Sequence, residues 1–109
     1  MSNTDRLQEV WDAKDLDGVK RIFTEDAVIK ILHEDRILKG QELQDRLAAM
    51  VLDEDTLSSD FEIIYENEEC SVTYERITGQ FFGGHVSTVQ LWRDGQIYHM
   101  QISVIQDNQ

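Results

Sequence analysis

The sequence predicts an α+β domain, and three observations carry that prediction. Apolar residues recur at helical spacing in residues 4–14, in 16–23 and again after Gly40. From Phe61 onward the pattern changes to alternation, the period of half-buried strands. An Asp94-Gly95 pair joins two of the alternating segments, and that dipeptide favours the tight turn of a β-hairpin. Helices first and a run of strands afterwards argue for α+β rather than alternating α/β organisation. The 109 residues are read as one domain, 1–109, long enough to bury a core and too short for two.

In the first helix Leu7, Val10 and Trp11 form the buried stripe, with Asn3 or Thr4 available as N-cap. Asp15 is placed to cap the short second helix, whose apolar positions are Leu16, Val19, Ile22 and Phe23. Asp15 and Asp17 also sit near the positive end of that helix's dipole. Residues 24–26 are expected as a turn and 27–32 as the first strand, rich in β-branched side chains. His33, Glu34, Asp35 and Arg36 read as a polar hairpin tip, from which Ile37 and Leu38 return briefly. Gly40 opens the third helix, with Leu43, Leu47, Met50 and Val51 along one face.

Residues 53–60 (DEDTLSSD) offer little to bury and are expected as a mobile acidic loop. A four-stranded antiparallel meander follows. Its first strand, 61–66, carries Phe61, Ile63 and Tyr65 on one face, and its second has Cys70, Val72 and Tyr74 as the apolar set. Residues 79–84 are expected as a loop bearing two aromatics, and 86–92 and 97–105 as the last two strands.

Acidic residues outnumber basic ones 22 to 10, for a net charge of −12, and no basic cluster compensates. Nucleic acid phosphates and anionic membrane surfaces are repelled by such a chain, which excludes both as partners. No run reaches the roughly 18 apolar residues of a membrane span. The stretch MSNTDRLQEV lacks the basic and apolar regions of a secretory signal, so a cytoplasmic location is the default. The one cysteine, Cys70, excludes an intrachain disulfide and reads as a buried, inert thiol with no cationic neighbour to activate it. Asp15 and Asp17 lack the further carboxylates of a calcium loop. His33, His85 and His99 lack paired-ligand spacing, so no metal site is expected. Phosphate-loop, dinucleotide and serine-nucleophile patterns are absent, and no cofactor is expected.

Several short motifs occur in a fixed order: the acidic Asp15-x-Asp17 turn, Glu25-Asp26-Ala27-Val28 at the strand start, Lys39-Gly40 at the helix start, and Trp92-Arg93-Asp94-Gly95-Gln96-Ile97 in the last hairpin. Together they resemble the nuclear transport factor 2-like superfamily, which includes ketosteroid isomerases and polyketide cyclase-like proteins. The resemblance spans most of the chain and specifies a scaffold. It implies a cystatin-like cone, with three N-terminal helices packed in the concave face of a strongly curved, mostly antiparallel sheet. Matching the strands to the family places Ile29, Ile31, Ser87, Val89, Leu91, Met100, Ile102 and Val104 inside, and Trp92 opposite. It also implies a homodimer through the convex sheet face, which as a half-apolar surface needs cover.

The isomerases of this superfamily use a strand carboxylate as base, with a tyrosine and a protonated aspartate to stabilise the enolate oxygen. The resemblance puts those three positions at Ile31, Leu7 and Ser87, so the acid/base set is missing. Nor is the inward Asp-Arg-Asp arrangement of the epoxide hydrolase members apparent. Strand parity leaves His33 and Arg76 as the ionisable side chains directed inward, and they are the weak catalytic candidates: His33 as a mouth acid/base, Arg76 as an anion clamp. Each also reads as a solvated or ion-paired residue. The expected ligand wall is Trp11, Ile31, Tyr65, Tyr74, Ser87, Val89, Met100 and Ile102. Two functions remain open. One is a pocket for a small hydrophobic molecule, with or without cyclase-like isomerase or lyase chemistry. The other is a non-enzymatic dimerisation or partner-binding module whose cone is filled by Trp11, Phe23, Ile31, Leu91 and Met100.

Overall fold

A computed structural model of the chain describes residues 2–79 and 83–107. The element order is α1 (Asn3–Asp12), α2 (Leu16–Ile22), β1 (Phe23–Ile31), a single 3₁₀ turn (Leu32–Glu34), β2 (Arg36–Leu38), α3 (Gly40–Val51), β3 (Leu57–Glu66), β4 (Cys70–Thr78), β5 (Gly83–Arg93) and β6 (Gln96–Gln106). The strands form one sheet in the order β2-β1-β6-β5-β4-β3. Every junction is antiparallel except β1–β6, which is parallel. The α+β cone expected from the sequence is the architecture observed.

Local chemistry explains the boundaries. Ser2 caps α1, accepting from the Asp5 N–H while the Asp5 side chain accepts from the Ser2 N–H, a reciprocal box. The cap therefore lies one residue before the expected Asn3. Asp15 caps α2 as expected, its Oδ1 accepting from the Gly18 N–H at 3.0 Å. Residues 24–26 are not a turn: β1 runs straight out of α2 from Phe23, with a register irregularity between Phe23 and Val28. The expected acidic loop is also shorter, because Leu57, Ser58 and Ser59 pair with Thr78, Ile77 and Arg76 and extend β3. Cys70 is half-buried rather than buried. Residues 80–82 of the expected glycine-flanked loop lie outside the described residues.

The core sits between the helices and the β1–β6 end of the sheet. Val19, Ile29, Leu47 and Ile97 are completely buried, with Leu43, Val51 and Trp92 close behind. Each such aliphatic side chain contributes roughly 1.5–3 kcal/mol by leaving water.

One irregularity sets which residues face the inside of the cone. At the β5–β6 turn, Asp94 and Gly95 both have positive φ (53° and 78°), the backbone of a two-residue hairpin turn matched to strand twist. Arg93 pairs with Gln96 and Trp92 with Ile97, but Leu91 then pairs with His99. Tyr98 is thus an extra residue, a one-residue bulge. Beyond it Gln90 pairs with Met100, Thr88 with Ile102 and Val86 with Val104. Opposed residues of an antiparallel pair project to the same face, so Val86, Thr88 and Gln90 join Met100, Ile102 and Val104 inside. An unbroken register would have opposed Val89 to Met100 and Ser87 to Ile102. The expectation that Ser87, Val89 and Leu91 point inward is therefore wrong by one residue. Since β4 pairs with β5 throughout, Ser71, Thr73, Glu75 and Ile77 turn inward with them.

Candidate functional site

The helices pack mainly against β1 and β6, which leaves the concave faces of β5, β4 and part of β3 less covered. The space left is a partly enclosed cavity of about 770 Å³. Its floor is the inward row of β5 and β6 just described. Leu7 and Trp11 of α1 and Met50 and Val51 of α3 form one wall, and Phe61 and Ile77 contribute to the other.

Three sets of polar groups matter most in this space. Deepest is a buried relay: the Trp92 indole N–H donates to the Ser71 hydroxyl at 2.9 Å, and Ser71 donates to Gln90 Oε1 at 2.6 Å. Gln90 Nε2 reaches Thr73 Oγ1 at 3.4 Å. Gln90 and Thr73 border the cavity, so its floor is polar but internally satisfied. Next is Glu75 on β4, which lines the cavity and accepts a hydrogen bond from the Ser58 hydroxyl at 2.5 Å.

The third set lies at the mouth. Arg46 of α3 grips Glu34 with both terminal nitrogens, at 3.2 and 2.5 Å, and His33 Nε2 lies 3.4 Å from the same carboxylate. The Arg46 fork holds the Glu34 carboxyl below the usual carboxylate range. Lys14 donates to the Asp53 carbonyl at 2.7 Å, tying α1 to the loop after α3. The Asp53 carboxyl is lowered by the Thr56 hydroxyl first and the Asp55 N–H second, contacts that fold the loop on itself.

Of the wall residues expected from sequence, Trp11, Ile31, Met100 and Ile102 line the cavity, and His33 stands at its mouth. Tyr65, Tyr74, Ser87, Val89 and Arg76 do not. Ser87 and Val89 are turned out by the Tyr98 bulge, and Tyr74 and Arg76, opposite Ser87 and His85, go with them. Tyr65 is displaced separately: β3 shifts register between Ile63 and Tyr65, leaving Ile63 opposite Thr73 but Tyr65 opposite Val72. Outside the cone Tyr74 and Arg76 meet instead around His85. Tyr74 Oη lies 2.5 Å from His85 Nδ1, and Arg76 donates to Asp107 at 2.5 Å. Leu91, expected among the fillers of the cone, is on that outer face as well, whereas Phe23 and Met100 are buried in the core.

Sequence reasoning missed Glu75, Gln90, Thr73 and Thr88. Their signal was weak but present: Ile97 and Met100 are both core-type residues at odd spacing on one strand, and only a bulge lets both face inward. Leu7 and Ile31, at two of the isomerase positions, are apolar cavity walls. Among the described residues no three His, Cys, Asp or Glu side chains gather closely enough to hold a metal ion, and no helix is long and apolar enough to cross a membrane.

No protein-family model matches the sequence, and no curated protein matches it. Solved structures do. A nuclear transport factor 2-like protein of unknown function from Mesorhizobium loti superposes with a TM-score of 0.80 at 16% identity, over 94% of this chain and 88% of that one. One from Burkholderia xenovorans LB400 gives 0.74 at 16% identity, over 98% and 83%. An LEH-like epoxide hydrolase of M. tuberculosis gives 0.67 at 13% identity, over 94% and 80%. The likeness is one of fold: the chain has the nuclear transport factor 2-like fold, with helices at the N-terminus packed on a six-stranded sheet.

Proposed function

We propose that the cone receives a small, largely apolar molecule. The observation that carries this reading is the cavity itself. Its volume of about 770 Å³ falls within the range of roughly 300–1,000 Å³ typical of ligand pockets, with apolar walls and a polar, charged rim. A cone filled by its own side chains would leave no such space, which favours the pocket over the filled-module alternative. Chemistry of the isomerase type lacks its carboxylate and tyrosine at Ile31 and Leu7. For acid/base chemistry of a cyclase-like isomerase or lyase, Glu75 is the sheet carboxylate facing the ligand space, with His33 held at the rim by Glu34.

Trp11 on the cavity wall provides the test. A panel of apolar ring compounds is screened for thermal stabilisation and for a change in Trp11 emission. Stabilisation that disappears when Thr88→Phe fills the floor supports the reading. A panel without effect, together with a lowered melting temperature for Thr88→Phe as the ring overpacks a filled cone, overturns it.

The convex face is the proposed homodimer surface. Val72, Val89 and Leu91 are only half-buried there, and Ile105 is 68% exposed. Light scattering of the purified chain tests this, and a monomer at micromolar concentration rules it out.

A further inference from the structure

We infer that the cavity selects an amine: a protonated nitrogen on an apolar, ring-sized body, with Glu75 as its counter-ion. This specificity rests on the cavity being a ligand site and goes further by naming the charge of the ligand. The charged side chains around the cavity differ in how they are occupied. Arg46 is committed to Glu34 through two hydrogen bonds, and Lys14 to the carbonyls of Asp53 and Val51. Asp53 is spent on capping its own loop, and Asp12 accepts from Gln8 Nε2 at 2.9 Å.

Glu75 is different. Among the described residues it forms no ion pair, and its partner is the neutral Ser58 hydroxyl. Its strand neighbours on the same face are Thr73 and Ile77, and Val86 lies directly opposite. A carboxylate beside apolar walls, without a counter-ion, becomes costly as a ligand body displaces its water, unless the ligand brings a positive charge. A neutral ligand leaves that cost unmet and an anionic one adds repulsion. Trp11 and Phe61 on the same cavity add ring faces that attract a cation. The net charge of −12 draws cations toward the protein from a distance.

The test uses three probes of one skeleton: naphthylmethylamine, naphthylmethanol and naphthoate, titrated calorimetrically into the full chain at neutral pH. The amine is expected to bind about ten-fold tighter than the alcohol, and naphthoate weakest. Glu75→Gln, nearly isosteric, should bring the amine down to the affinity of the alcohol while leaving the alcohol unchanged. Ser58→Ala keeps the charge and removes only the hydroxyl donor, so it should keep the amine preference, which also guards against a misfolded Glu75→Gln. Equal or tighter binding of the alcohol or naphthoate overturns the amine specificity and leaves the pocket standing. So does a preference that survives Glu75→Gln or disappears in Ser58→Ala. Silence from all three probes overturns the pocket and the amine preference together.

Discussion

The Trp92 indole and the Ser71 hydroxyl meet at 2.9 Å across β4 and β5, both nearly inaccessible to solvent. Ser71 is the middle of a relay, accepting from Trp92 and donating to Gln90. Its removal therefore orphans a donor and an acceptor at once. Ser71→Ala should cost roughly 1–3 kcal/mol, read as a lower urea midpoint at unchanged slope, because an unmade buried hydrogen bond costs more than a made one contributes. An unchanged midpoint would mean that Trp92 finds another acceptor.

Gly84 has no room for a side chain. A Cβ built there would stand 2.7 Å from the Ile105 carbonyl oxygen, which is backbone and cannot swing aside. Gly84→Ala should destabilise by about 1–3 kcal/mol through forced separation of β5 and β6. Thermal melting measures it, and an equal melting temperature would show that the strands give way freely.

The Arg46–Glu34 pair predicts a pH dependence with a definite sign. The Glu34 carboxyl is lowered in the folded state, mainly by the hydrogen bond from Arg46. Its contribution to stability is thus fully present above the ordinary glutamate pKa and is lost as pH falls through the lowered one. Arg46→Gln should be less stable than the native chain at neutral pH, and the gap should close under acid. Both side chains are about 30% exposed, so the effect is small. Denaturation at neutral and acid pH compares them, and a gap that widens in acid contradicts the assignment.

The two tryptophans sit in opposite environments: Trp92 is 2% exposed, and Trp11 stands half-buried on the cavity wall. Acrylamide should quench Trp11 and spare Trp92. Trp11→Phe should then leave a blue-shifted, quench-resistant emission, and strong residual quenching would mean that the core around Trp92 opens.

Much of the scaffold was legible in the sequence. Helical spacing gave α1, α2 and α3 because each buries a single stripe, and Asp94-Gly95 announced the last hairpin because few residues tolerate its backbone. The inward rows of β1 and β6 were legible too, since Ile29, Ile31, Met100 and Ile102 alternate with polar neighbours. The faces of β4 and β5 were not. Both mix apolar and polar residues, so their orientation depends on register passed across from β6, and the unannounced bulge at Tyr98 inverted it. That single residue exchanged Ser87, Val89, Tyr74 and Arg76 for Thr88, Gln90, Thr73 and Glu75 at the cavity. Deleting Tyr98 should force Trp92 or Gln90 out of place and abolish cooperative unfolding, whereas a normal melt would show that the register adapts.

Strand β3 closes one side of the cone yet keeps every residue exposed, with Leu57, Ile64 and Tyr65 each more than half accessible. It is an edge strand whose outer backbone groups have no partner in the sheet. Two register shifts kink it, and Asp60, Glu62 and Glu66 place carboxylates along it, the devices by which edges resist adding a further chain. Kinks are permanent, but charge depends on the solution. Acidification or heavy salting disarms the carboxylates while the core is still intact, so this protein should clump from its folded state. Light scattering would rise ahead of any loss of circular dichroism, and storage conditions would matter more to its handling than its melting temperature.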